Sequence, residues 1–260
     1  MKHIVSRDNP AFRAWKKLAQ SSRERRKAGR TLLEGMHLLT AWTARHGLPE
    51  MVLVSERGAA HGEIAVWLAA HPQARVVLLA DGLLAELADT ETPAGVLAEV
   101  EVPAADQAPA LDRDTVLLNG IQDPGNLGTL LRTAAAAGFG QLLLSPDCVG
   151  AWSPKVLRAG QGAHFLVQIH EGAELETFLT QFQGASLATA LEGAVSLHQA
   201  RWQGPVAWVF GAEGQGVSPA VLARAGQRIH IPMPGAVESL NVGAAAAICL
   251  FETLRRRLPA

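Results

Sequence analysis

A chain of 260 residues, 48% hydrophobic and 18% charged with a formal net charge of −1, is neither disordered at large nor collagen-like, and it can bury one large core or two modest ones. Its longest small-apolar run, Ala244 to Phe251, falls far short of a membrane span, and the basic start lacks the apolar stretch of a signal peptide, so a cytoplasmic protein without a membrane partner is expected. Cys148 and Cys249 show no metal-ligand spacing, which points to two reduced, buried thiols and no metal site.

The near-zero charge conceals an asymmetry. The first thirty residues carry a balance of +8 and the remainder −9. A basic arm on an otherwise acidic protein is the electrostatic footprint of a polyanion binder, against the plainer reading of a solvated helix face for Arg23 to Lys27.

In chain order, Asn9-Pro10 reads as a cap followed by proline at the first helical position, and Phe12, Trp15, Leu18 and Ala19 form the apolar stripe of the helix behind it. A short strand at 31–34, a helix at 35–45 and a strand at 51–54 follow. Then come a helix around 64–70, a strand at 75–79, a helix at 82–88 and a strand at 96–100. This alternation predicts an α/β domain over residues 1–104. Residues 101–112, with Pro103 and Pro109 and no periodicity, read as a linker, which places a second domain at 105–260.

The second domain opens with the buried strand Thr115 to Ile121 and the turn at Pro124-Gly125, with Asn126 as a helix cap. Leu127, Leu130, Leu131 and Ala134 lie at helical spacing and are the expected packed face, which turns Arg132 away from the core with Thr129 and Thr133. Arg132 lies barely two turns past a glycine-containing loop at a strand end, a setting for an anion-binding group. Further alternation follows: strands at 141–144, 165–169 and 186–190, with helices at 154–159 and 175–182. A largely parallel sheet covered on both faces is implied. Trp152, His164 and His198 read as packing or surface residues.

The last fifth holds two loops at strand ends, where parallel sheets place their ligands. Strand 206–210 breaks into Gly211-Ala-Glu-Gly-Gln-Gly216, whose glycines let backbone groups approach a flat ligand. Strand 229–233 leads through Gly235 into Ser239-Leu-Asn-Val and a helix. The dinucleotide, phosphate-loop, esterase-elbow and zinc-protease signatures are all missing.

Three stretches together carry a resemblance: Asn119 to Ala134, Phe210 to Ser218 and Ile231 to Val242. In order and spacing they are similar to motifs one, two and three of the SpoU (TrmH-like) RNA ribose 2′-O-methyltransferases of the SPOUT superfamily, and the amino-terminal domain resembles the L30e-like substrate-binding module of many members. The resemblance implies a parallel-sheet SPOUT domain with a deep trefoil knot, a homodimer, and S-adenosylmethionine held by backbone groups at Gly211, Ile231 and Leu240. It also carries Asn126, Arg132, Glu213, Ser239 and Asn241 over as catalytic residues, and a bulky side chain at Gly211 is expected to abolish cofactor binding without unfolding the protein.

Methyl transfer requires the ribose 2′-hydroxyl in line with the sulfonium methyl, so positioning carries much of the rate. A guanidinium is a poor base, which favours Arg132 as a phosphate and alkoxide clamp oriented by Glu213 or Asn126; a base role is the family alternative. Gly243 departs from the usual serine of motif three, which either removes a cap contact or allows closer helix packing at Gly243, Ala244 and Ala247. RNA, and ribosomal RNA of the large subunit first, is the expected partner; the alternatives are a tRNA 2′-O-methyltransferase and a non-catalytic RNA-binding or ribosome-assembly factor on this fold.

Overall fold

In the computed structural model, which describes residues 2–105 and 107–258, the chain opens with a strand that its periodicity does not announce. β1 (Lys2–Ile4) is only three residues long, yet it pairs in parallel with β4 (Val76–Leu79). α1 (Pro10–Gln20) follows, with the Asn9 side chain accepting the Ala11 N–H and Pro10 in the first turn. It buries Phe12, Trp15 and Leu18. α2 (Ser22–Ala28) buries no residue and leaves through Gly29 at φ +62°, a left-handed turn that suits glycine.

The remaining elements of this unit are β2 (Arg30–Glu34), α3 (Met36–His46), β3 (Met51–Ser55), α4 (Glu56–Ala59), α5 (Gly62–Ala70), α6 (Asp81–Leu87) and β5 (Val96–Glu101). Their sheet runs β1-β4-β3-β5-β2, with β5 antiparallel to both neighbours. The core gathers Ile4, Phe12 and Trp15 with Leu53, Leu79 and Leu97. Burial of these aliphatic and aromatic side chains is the main stabilising term here, at roughly 1.5–3 kcal/mol for each. The indole N–H of Trp15 is satisfied by Glu99 at 2.8 Å, and Glu99 also accepts from Arg30 at 2.9 Å.

The second unit comprises β6 (Thr115–Asn119), α7 (Pro124–Ala136), β7 (Gln141–Leu144), β8 (Gln168–Glu171), α9 (Leu175–Gln181), β9 (Ala185–Thr189), β10 (Val195–Ser196), β11 (Val206–Gly211), α10 (Pro219–Leu222), β12 (Gln227–His230) and α11 (Val242–Arg257). The sheet order is β10-β12-β9-β11-β6-β7-β8 and every pairing is parallel. All four residues of β7 are buried and so are all six of β11, as expected of strands covered on both faces. One face packs Leu117, Leu143, Phe178, Val209 and Val221. α11 is tied to β11 by a fully buried hydrogen bond, Trp208 Nε1 to Thr253 Oγ1 at 2.9 Å. In the last turn of the same helix Arg256 donates to the Ala200 and Leu197 carbonyls at 2.9 and 2.6 Å and stacks 4.0 Å from the Trp202 ring centre.

The two compact units are not the two contiguous segments that the linker suggested. Residues up to Ala104 cluster with Trp152–Phe165, and Ala105–Ala151 cluster with the chain from Leu166 onward. The excursion contains α8 (Pro154–Gly160) and joins the first unit for local reasons: the Thr31 hydroxyl donates to the Trp152 carbonyl at 2.8 Å, and Phe165 meets the Trp42 ring edge-on at 5.3 Å. Trp152 and His164 do pack, 5.3 Å apart, as expected of them.

Three local expectations are corrected. The strand placed at 165–169 is a single 3-10 turn (Ala163–Phe165) followed by β8 at 168–171. The strand placed at 229–233 is β12 at 227–230, because Pro232 and Pro234 lack the N–H that a ladder needs. Cys249 is buried, with its thiol pushed up to about 12 by desolvation, but Cys148 is only half-buried and donates to the Leu118 carbonyl at 3.3 Å. Among the described residues, no helix is long and apolar enough to cross a membrane.

Candidate active site

Four neighbouring strands, β12, β9, β11 and β6, run in the same direction, so their exit loops line one edge of the sheet. The loop after β6 starts α7, and its cap differs from the expected one. Asp123, not Asn126, is the cap: its Oδ1 accepts the Asn126 N–H at 2.7 Å, and Pro124 stands in the first turn. Asn126 is therefore the third residue of the helix, with its side-chain amide free for other partners.

Those partners are the acid of the second motif and the amide of the third. Asn126 Nδ2 donates to Glu213 Oε1 at 2.5 Å, and Asn126 Oδ1 accepts from Asn241 Nδ2 at 2.8 Å. Asn241 in turn caps α11, its Oδ1 accepting the N–H groups of Gly243 and Ala244 at 2.9 and 3.3 Å. One amide thus clamps three loops that are far apart in sequence. The two Asn side chains have their donor and acceptor ends assigned without ambiguity, since the Glu213 carboxylate accepts only and the α11 N–H groups donate only.

Arg132 lies on α7, whose buried face is Leu127, Leu130, Leu131 and Ala134, each fully buried. Its side chain is exposed and forms no hydrogen bond or ion pair with any described residue. Nothing links it directly to Glu213. Ser239 is likewise exposed and without a side-chain hydrogen bond to a described residue.

The residues expected to hold a cofactor divide. Ile231 lines a cavity of about 440 Å³ with Leu191, Gly193, Ala194, Pro232 and Met233, and His230 supplies its polar edge. That volume lies within the ~300–1,000 Å³ of small-molecule sites, and an apolar lining suits an adenine ring and a thioether stem. Leu240 is a little over a third exposed, in the loop that enters α11. Gly211 is also required by the packing of its own loop. A Cβ there would lie 2.0 Å from the Gly216 carbonyl carbon and 2.1 Å from the Val217 nitrogen, so even alanine would displace backbone. A bulky residue at Gly211 would unfold the loop rather than merely block a ligand. The loop closes on itself through Gly216 N–H to the Ala212 carbonyl at 2.8 Å, with Gly214 and Gly216 at φ +87° and +69°.

Gly243 is explained by packing. A Cβ on it would sit 2.9 Å from Thr129 Cγ2 of α7 and 3.1 Å from Asn241 Oδ1, so α7 and α11 meet where a side chain has no room. The Asn241 amide already caps the helix, so no serine hydroxyl is needed there.

Two parts of the site have roles that the sequence does not single out. Asn119, the polar end of β6, accepts the Ser218 N–H through Oδ1 at 2.8 Å and ties the glycine loop to the first motif. The exit of β9 forms the second wall of the cavity, facing the 230–233 segment. Its signal is Ala-Leu-Glu-Gly at a strand end, with Gly193 at φ +62°.

Residues 114–251 match the SpoU rRNA Methylase family, and residues 9–98 match the MRM3-like substrate binding domain. The chain is 35% identical over 98% of its length to an uncharacterized tRNA/rRNA methyltransferase of Synechocystis sp., 94% of which is covered. It is 30% identical over 96% of its length to the 23S rRNA (guanosine(2553)-2'-O)-methyltransferase RlmP of Bacillus subtilis, 98% of which is covered. Among solved structures, an AdoMet-bound rRNA methyltransferase from Sinorhizobium meliloti superposes with a TM-score of 0.84 at 25% identity, covering 99% of each chain. The parallel sheet, the loops gathered at its edge by Asn126, and a match that runs through all three of those loops agree with one another, and the chain belongs to the SpoU rRNA methylase family.

Proposed function

We propose that the protein is an S-adenosylmethionine-dependent RNA ribose 2′-O-methyltransferase whose substrate is large-subunit (23S-type) ribosomal RNA. The observation that carries the reading is the Asn126 amide bonded to both Glu213 and Asn241, at the same sheet edge where an apolar cavity opens between the exits of β9 and β12. The Bacillus subtilis relative, named as a 23S rRNA methyltransferase and matched over nearly its whole length, supports the choice of RNA.

The residues divide the work by position. Ile231 and the β9 exit enclose the adenine side of the cofactor, and the backbone of the Gly211 and Leu240 loops supplies its hydrogen bonds. The bound cofactor supplies an electrophilic methyl on a sulfonium. Asn126 holds Glu213 so that the carboxylate oxygen not engaged by it accepts the 2′-hydroxyl and orients the attacking oxygen. Arg132, with its planar fork unengaged, binds the adjoining phosphate and stabilises negative charge as it develops on the 2′-oxygen. Ser239 stands on the cofactor loop as a further hydrogen-bond partner for the ribose.

Residues 1–104, joined by 152–165, serve as the L30e-like RNA-presenting part, and the rest of 105–260 as the methyl-transferring SPOUT part. Lys17, Arg23, Arg26 and Lys27 form no ion pair with a described residue, whereas Arg7 and Lys16 are held by Glu86, Arg13 by Asp8, and Arg30 by Glu99 and Glu50. The former group is the phosphate-binding surface. A homodimer is favoured by the exposed stripe Ala244, Ile248 and Phe251 along α11, and the trefoil threading of the 231–241 segment is supported by α11 packing over α7 and β11 after β12 on the far side of β9. The site of action is the cytoplasm, where ribosomal RNA is.

The test is to map 2′-O-methyl groups in total RNA from cells with and without the protein, alongside calorimetric titration of S-adenosylmethionine and NAD. One 23S position should lose its methyl and only S-adenosylmethionine should bind. A lost methyl in tRNA would move the substrate, and NAD binding with no response to S-adenosylmethionine would sink the reading.

A further inference from the structure

The first unit repeats, in its own sheet, the arrangement that makes the second unit's site. β2, β3 and β4 run in the same direction and deliver the chain into α3, α4 and α6 at one edge. An open cleft of about 900 Å³ lies at that edge, where ligands of such sheets sit. Its floor is closed by backbone: Gly58 and Gly95 are in contact, so that a Cβ on Gly58 would come within 2.3 Å of the Gly95 carbonyl oxygen. Met36 and Leu84 supply buried apolar surface beside them.

The rim decides what the cleft accepts. His37, His61 and Arg57 are flat side chains suited to stacking on a base. Arg57 is the nearest cation, but it is already engaged: its side chain pairs with Asp81 at 3.1 Å and its N–H donates to the same carboxylate at 3.0 Å. Its backbone N–H, together with the Ser55 hydroxyl, holds the Asp81 carboxyl below the usual carboxylate range. Glu63, exposed on the rim, has no partner among the described residues. Two carboxylates and one neutralised guanidinium would repel a phosphate, whereas an unpaired carboxylate accepts the N–H edge of a base.

We infer that this cleft binds one unstacked base of the RNA substrate, separate from the methylated nucleoside, and favours guanine through Glu63. Guanine presents two adjacent donors, N1–H and N2–H, that match a carboxylate, while adenine presents one donor beside an acceptor. The inference rests on the RNA substrate proposed above, and it gives the substrate-binding part a base-reading role beyond phosphate contact.

The experiment uses the full-length protein and follows the ring-proton resonances of His37 and His61 during titration with 5′-GMP, AMP, CMP, UMP and inorganic phosphate. GMP should shift both rings saturably and at least fivefold more tightly than AMP, with no response to phosphate. Glu63→Gln should weaken GMP about tenfold and leave AMP unchanged, and Ala85→Trp, on the exposed face of α6, should fill the cleft and abolish both. S-adenosylmethionine affinity should stay within twofold in each variant, which reports folding. The inference is overturned if no nucleotide shifts the histidines, if phosphate alone shifts them, or if the GMP response survives Ala85→Trp. Failure of the wild-type protein to methylate ribosomal RNA would instead strike the proposed function, since the histidine shifts are read without turnover.

Discussion

Replacing Asn126 by aspartate changes one atom of the clamp and leaves its shape. The Oδ1 that receives Asn241 is kept, but the Nδ2 donor facing Glu213 becomes an oxygen, so two carboxylates meet where a 2.5 Å hydrogen bond stood. Two unit charges about 4 Å apart repel by ~1 kcal/mol in water and ~4 kcal/mol at an effective dielectric of 20. Asn126 is half-buried and Glu213 exposed, which places the penalty near the lower end, at about 1–2 kcal/mol. That corresponds to roughly five- to thirtyfold in a rate that depends on the closed clamp. Asn126→Ala loses the hydrogen bonds without gaining the repulsion and should fall less. Urea unfolding and single-turnover methyl transfer at neutral pH measure both. If Asn126→Asp is no less stable and no slower than Asn126→Ala, Asn126 and Glu213 are not paired in solution as the structure has them.

Thr253→Val removes the hydroxyl that accepts the buried Trp208 N–H and should cost about 1–3 kcal/mol, read as a shift in urea midpoint; in a double-mutant cycle with Trp208→Phe the coupling should be about 1 kcal/mol or more. Gly243→Ser should destabilise by about 1 kcal/mol because its Cβ overlaps Thr129 Cγ2, and Thr129→Ser in the same chain, which removes that methyl, should restore most of the loss in thermal melts. Arg23→Gln, Arg26→Gln and Lys27→Gln together should weaken RNA binding and lower the log-log salt slope by about one unit or less per lost phosphate contact. Arg25 stays in that variant because its guanidinium donates to the Leu18 and Ala19 carbonyls at the end of α1, and an unchanged slope would return α2 to a solvated face.

Local signals in the chain were strong where one residue type does one job. Asn9-Pro10 announces α1, the stripe Leu127, Leu130, Leu131 and Ala134 announces the face of α7, and the alternating apolar runs announce a parallel sheet. The misses have physical causes. β1 is three residues that become a strand only because β4 is there to pair with them, and β10 is two residues beside β12. Asp123 and Asn126 both suit a cap, and the choice falls to Asp123 because Glu213 and Asn241 claim the other amide from 87 and 115 residues away. No spacing encodes that. The same holds for residues 152–165, whose partners Thr31 and Trp42 lie more than a hundred residues upstream. That a side chain at Gly211 would break the loop itself was not legible, since a close approach to backbone and one to a ligand leave the same mark in a sequence.

If the unengaged guanidinium on α7 serves the chemistry rather than the fold, Arg132→Ala separates the two. With labelled S-adenosylmethionine and 23S rRNA under single-turnover conditions, the variant should melt with the wild type and bind the cofactor within twofold, while methyl transfer falls by roughly a hundredfold or more. Arg132→Lys should recover little of it, because a point charge cannot reproduce the planar fork. Transfer by Arg132→Ala within fivefold of the wild type, at equal cofactor affinity, would contradict the account.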